Sequence, residues 1–179
     1  MITDPEVREF IEKTNFDLCE EDQESHVIDL IVTKTIRFFE SHMYLLENLL
    51  RTLRDEQMFD AVLHIANEML QIGKKRKNNR FMAFSSFIIG ELLTQEFSSD
   101  PDQLMYAKAN LTEAFDAYSL SSNVLTDDEY SRLCMSLSTL YRIMGDASYS
   151  KRFLELARDK TTDKNLLLQF YRESAVQLA

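Results

Sequence analysis

Apolar residues recur along this chain at helical spacing and nowhere alternate as strands do. From Ser25 to Arg54 the positions Val27, Leu30, Ile31, Ile36, Phe38, Phe39, Leu45, Leu46, Leu49, Leu50 and Leu53 keep a helical period throughout. A run of that length predicts two helices, 25–40 and 42–54, parted near Ser41. Asp55 then starts a helix over 56–72, with Phe59, Val62, Leu63, Ala66, Met69 and Leu70 inward and Gly73 as its stop. The next helix, 79–96, reads FMAFSSFIIGELL over its middle and is apolar nearly all round, which predicts a place at the centre of the core. Gly90 inside it costs about 1 kcal/mol relative to alanine, so a neighbouring helix is expected against its bare Cα.

Asp100 as a cap and Pro101 at the first helical position open a helix over 101–120, with Leu104, Ala107, Leu111, Ala114, Phe115 and Tyr118 on one stripe. The sharpest local signal comes at Thr126. Its hydroxyl and the Glu129 carboxylate have the spacing of a capping box, and Gly145 closes the helix that follows. A second helix then folds back as far as about Thr162. Two flanking pieces complete the pattern. Asp4-Pro5 opens a short helix to Lys13, joined to the rest by the acid-rich stretch Asp17 to Glu24, and a stripe of Leu166, Leu167, Phe170 and Tyr171 predicts a last helix over 163–178.

Composition sharpens this to an all-α fold. The 179 residues are 45% hydrophobic with only three Gly and two Pro, enough for one buried core and too few for the many turns of an all-β fold. The formal charge of −10 argues against nucleic acid, whose phosphates require clustered Lys and Arg. The one such cluster is Lys74 to Arg80, KKRKNNR. It reads first as solvated cations offsetting a helix C-terminus, with an acidic-partner contact, a nuclear targeting signal or a nucleic-acid touch point as alternatives.

No segment has the length and apolarity of a membrane span or of a secretory leader, so no membrane association and a cytoplasmic location are expected. Cys19 and Cys134 stand alone, and His26, His42 and His64 form no metal-ligand spacing. No glycine-rich phosphate loop and no nucleophile with a nearby base occurs. The expectation is therefore a protein without metal, cofactor or catalysis.

Between Ser131 and Ala157, Tyr141, Gly145, Asp146, Ser150, Phe153 and Ala157 fall where the signature residues of a tetratricopeptide repeat fall, with Cys134 in place of the usual Trp and Ser138 in place of the usual Gly. Ala107 and Ala114 repeat the seven-residue spacing of Ser150 and Ala157. The chain resembles that family over 126–162, and more weakly over 79–120 and 42–72. The resemblance implies a single domain, 1–179, of three antiparallel hairpins over 42–160 stacked as a short α-solenoid or superhelix. Residues 1–40 would form an N-terminal extension and 163–178 a capping helix.

It also implies a concave groove that binds a protein or peptide partner. Carried over position by position, the groove would be lined by Phe84, Phe87, Glu91 and Thr94 from one hairpin and Arg132, Met135, Thr139 and Arg142 from the next. The two arginines would share a face able to hold a carboxylate. The competing expectation is a self-associating structural protein, a homodimer formed through the apolar 79–96 helix or the terminal helix.

Overall fold

The structure is a computed structural model and describes residues 43–161 and Leu168. The helices expected over 5–13, 25–40 and 163–178 and the acid-rich 17–24 connection lie outside the described residues. Among the described residues there are six helices and no strand: α1 (Met43–Asp55), α2 (Phe59–Arg76), α3 (Asn79–Glu96), α4 (Pro101–Leu120), α5 (Asp127–Ile143) and α6 (Ala147–Lys160). The chain divides into two compact units, Met1–Met69 and Leu70–Ala179, with the boundary inside α2.

In the first unit Leu46, Leu49, Leu50 and Leu53 of α1 and Val62 and Ala66 of α2 are buried, as their period predicts, and so is Ile65, while Phe59 and Leu63, expected inward, are half-buried. Asp55 ends α1, however, and does not begin α2. Gln57 adopts φ 62°, and the N–H groups of Gln57 and Met58 return to the carbonyls of Arg54 and Leu53, a Schellman turn that delays the next helix to Phe59.

The second unit is built on α3. Every residue from Ala83 to Thr94 is buried, so this helix is surrounded on all sides, as its apolar sequence predicts. Gly73 does not stop α2. It sits in the last turns, where a Cβ would come within 2.9 Å of Met82 Cγ and 3.1 Å of Phe81 Cβ. The missing side chain thus lets the end of α2 lie close to the start of α3. The stop is three residues later, where Lys77 takes φ 55° and Asn78 N–H reaches the Gly73 carbonyl at 2.9 Å. Lys74, Lys75 and Arg76 therefore lie within the last turn of α2 and not beyond it. Asn78 then caps α3 by accepting the Phe81 N–H.

Helix α3 packs along α4 and α5 packs along α6, while α4 and α3 each also touch α5. At Gly90 an added Cβ would meet Leu111 Cγ at 2.5 Å and the Ala107 carbonyl oxygen at 3.0 Å; the close approach expected from that glycine is made by α4. Ala107, Ala114, Ser150 and Ala157 are all buried. In the second hairpin the corresponding close contact is a hydrogen bond between the Ser138 and Ser150 hydroxyls, 3.1 Å apart. Thr126 and Glu129 form the predicted capping box, and Gly145 adopts φ 80° in the turn.

Candidate functional site

The side of the second unit where α3 and α5 meet carries the residues that the repeat resemblance assigns to a groove. Phe84 and Phe87 are 0% exposed and meet edge to face, 6.4 Å between centroids at 75°. Each is also covered by a guanidinium: Arg80 lies 5.3 Å from the Phe84 centroid and Arg132 lies 5.2 Å from that of Phe87, within cation–π range. Glu91, Thr94 and Met135 are buried. The Thr94 hydroxyl is spent locally, donating to the Gly90 carbonyl at 2.8 Å. Only Thr139, half-buried, and Arg142, exposed, remain open on α5 beside the partly covered Arg132. The expected phenyl anchors are therefore interior residues, because α3 is enclosed along its whole middle.

The arginine pair expected on α5 also differs in the structure. Arg132 Nη2 donates to the buried Glu91 carboxylate at 2.7 Å, so it is engaged within the chain, while Arg142 stands ten residues further on, roughly 15 Å along the helix. The two do not form a joint carboxylate clamp.

A pair absent from the sequence-based expectation does the reciprocal work. Arg80 of α3 holds the Glu129 carboxylate through both terminal nitrogens, Nη2 at 2.6 Å, and donates from Nη1 to the Val124 carbonyl at 2.8 Å. Glu129 also accepts the Thr126 N–H at 2.7 Å. One carboxylate thus caps α5 and ties it to α3, while Arg80 fastens the α4–α5 loop in which Val124 and Leu125 are buried. Glu129 and Glu91 keep only 5% and 6% of their side-chain surface exposed. Buried carboxylates of this kind are tolerated because a fork-shaped donor satisfies them.

On the α4–α5–α6 side an aromatic chain runs from the interior to the surface. Tyr118 stacks on Tyr130 at 4.0 Å, Phe115 meets Tyr130 and Phe153 at 5.9 and 5.3 Å, and Tyr141 stacks on Phe153 and Tyr149 at 5.6 and 5.1 Å. Lys108 of α4 sits 5.2 Å from the Tyr141 centroid. At the surface end Tyr149 is 48% exposed, beside the α5–α6 turn whose Ile143 and Met144 are 36% and 41% exposed. Tyr149, Ile143 and Met144 are thus large side chains left partly exposed near Arg142.

Titration follows burial. Burial pushes the Cys134 thiol up to about 12, against a smaller opposing effect of the Tyr130 hydrogen bond, so this fully buried sulfur is not a nucleophile at neutral pH. Burial raises Tyr118 as well, helped by its hydroxyl's hydrogen bond to Asp127. Among the described residues no group of three or more His, Cys, Asp and Glu side chains is placed to hold a metal ion, and no helix is long and apolar enough to cross a membrane. Compared with known proteins, the chain matches no family model, no curated protein and no solved structure.

Proposed function

We propose that the chain is a non-catalytic scaffold of tetratricopeptide-like hairpins that binds a protein or peptide partner. The observation that carries this is the packing order. Each of two hairpins closes on itself, α3 on α4 and α5 on α6, and the second hairpin's first helix touches both helices of the first. That is the neighbour relation of a solenoid, in which each unit covers the apolar side of the one before. Phe84 and Phe87 are internal to this stack. The partner instead meets the open end of the aromatic chain, Tyr149 with Ile143 and Met144, with Arg142 supplying a polar contact at the rim.

A photo-crosslinking residue placed at position 149 tests the reading. One defined partner should be captured there and not from position 120, where Leu120 is 89% exposed but lies outside the patch. Replacing Met144 and Tyr149 by serine should weaken that capture roughly tenfold or more with little change in melting. Capture that is equal from both positions and insensitive to the serine variants would overturn the assignment.

The second reading is self-association. The 79–96 helix is enclosed within one chain, so it does not supply the face. The other candidate, the terminal helix over 163–178, lies outside the described residues, and among those described Met105 and Tyr106, 59% and 47% exposed on α4, are the apolar side chains suited to it. Sedimentation decides between them: a stable dimer lost on replacing Met105 and Tyr106 favours the second reading, and a concentration-independent monomer removes it.

A further inference from the structure

Among the described residues Gln57, Lys77 and Gly145 take a left-handed backbone. Glycine does so without steric cost, whereas a side chain there crowds the following carbonyl oxygen and disfavours the conformation roughly fivefold to thirtyfold. Lys77 and Asn78 are all that separates α2 from α3. Neither Gly nor Pro occurs in the run KKRKNNR from Lys74 to Arg80, and lysine and arginine are good helix formers. The break is therefore held by packing and one cap. Gly73 lies against Phe81 and Met82, where a Cβ would come within 2.9 Å of Met82 Cγ and 3.1 Å of Phe81 Cβ, and the Asn78 side chain accepts the Phe81 N–H.

Straightening this junction would return Lys77 to the right-handed region and join α2 and α3 into one helix from Phe59 to Glu96. No backbone donor is stranded by it, since the Phe81 N–H passes from the Asn78 side chain to the Lys77 carbonyl, four residues back. Arg76 and Lys77 would come within a turn of Arg80, and each like-charge pair opposes the change by only about twofold. The larger loss is the seat of Gly73 on Phe81 and Met82. A second copy restores it. Each opened chain can lay its Gly73 turn on Phe81 and Met82 of the other, so the contacts of the hairpin are remade between two chains while the strain at Lys77 is gone.

From these features we propose that the Lys77–Asn78 junction is a hinge at which two copies of this chain exchange the segments that flank it, each copy carrying one unbroken α2–α3 helix. The exchange uses neither the exposed Met105 and Tyr106 of α4 nor the Tyr149 patch, which separates it from association through a surface face.

The test refolds the full 179-residue chain from urea over a series from about 1 μM to about 1 mM, where opened chains meet one another, and reads the dimer by sedimentation after dilution to one concentration. Dilute refolding should give the monomer. Concentrated refolding should give a dimer that persists on dilution, because separation requires both chains to open at the hinge. Lys77→Gly relieves the hairpin and puts a poor helix former into the straight helix, so it should raise the melting temperature of the monomer. It should also shift the refolding concentration at which dimer appears upward by roughly 25-fold or more, the effect entering once per chain. Asn78→Ala removes the cap that only the hairpin uses and should shift that concentration downward by a similar factor, roughly 25-fold. Replacing Met105 and Tyr106 by serine should leave it unchanged. A chain that stays monomeric throughout the series even with Asn78→Ala, a dimer that Lys77→Gly leaves undiminished, or one lost with Met105 and Tyr106 would overturn the proposal.

Discussion

The α3–α4 and α5–α6 hairpins solve one packing problem with different chemistry. Where the helices of the first approach most closely there is no side chain at all: Gly90 leaves room for Leu111 and for the Ala107 carbonyl. The second hairpin keeps two hydroxyls at the equivalent crossing and joins them by a hydrogen bond between Ser138 and Ser150. Their environments differ as well, since α3 is enclosed along its middle while α5 emerges at its C-terminal end into the exposed Arg142, Ile143 and Met144. Both hairpins have a small contact at that crossing. It is made by absence in the first hairpin and by a paired polar group in the second.

The largest expected effect is on the tie between the hairpins. Arg80→Met removes the guanidinium from Glu129 and Val124 at once and should cost about 3 kcal/mol in urea unfolding, the low end for breaking a buried pair, because Arg80 keeps 25% of its side chain exposed. A loss below about 1 kcal/mol would mean that the pair behaves as a surface contact.

Next comes the crossing itself. Gly90→Ala should destabilise by roughly 1–2 kcal/mol, because the clash with Leu111 Cγ and a backbone oxygen outweighs the gain in helix propensity of about 1 kcal/mol. If the variant were more stable than the parent, the close approach would be refuted. The contrasting site sharpens this. Ser150→Ala should cost about 1 kcal/mol by removing its hydrogen bond with the buried Ser138 hydroxyl.

Smaller still, Gly145→Ala should cost about 1 kcal/mol from backbone strain alone, since no atom lies within 4 Å of an added Cβ. Finally, native Cys134 should resist alkylation at neutral pH while the unfolded chain reacts readily. Its raised pKa also predicts a loss of stability as pH rises from about 9, the thiol's ordinary value, towards about 12, because the unfolded chain then releases a proton that the folded one retains. Peptide-resolved mass spectrometry and unfolding at alkaline pH check the two parts.

Much of the architecture is legible in the sequence. Thr126 with Glu129, Asp100 with Pro101, and the apolar run of α3 each carry a local cause that the fold obeys. The helix ends at Asp55 and Gly73 are not legible in this way: the chain stops those helices with Gln57 and Lys77 in left-handed conformations, residues without glycine's signature. Gly73 is spent on packing against Phe81 and Met82. For the candidate site, helical spacing places Phe84, Phe87 and Arg132 on neighbouring helices but does not show what covers them. Arg80 is hidden by its neighbours, since in a run of cations nothing local marks the one that turns inward. Its partner does carry a sign, because a capping glutamate already oriented by Thr126 is a ready acceptor.

The most direct test of the stacked arrangement is a double-mutant cycle on Glu91 and Arg132, using Glu91→Gln and Arg132→Met and measuring unfolding free energies in urea. These residues belong to different hairpins and meet at 2.7 Å, so a coupling of about 1–3 kcal/mol is predicted. Effects that add to within about 0.5 kcal/mol would mean that the first helices of the two hairpins are not joined there, and would contradict the account.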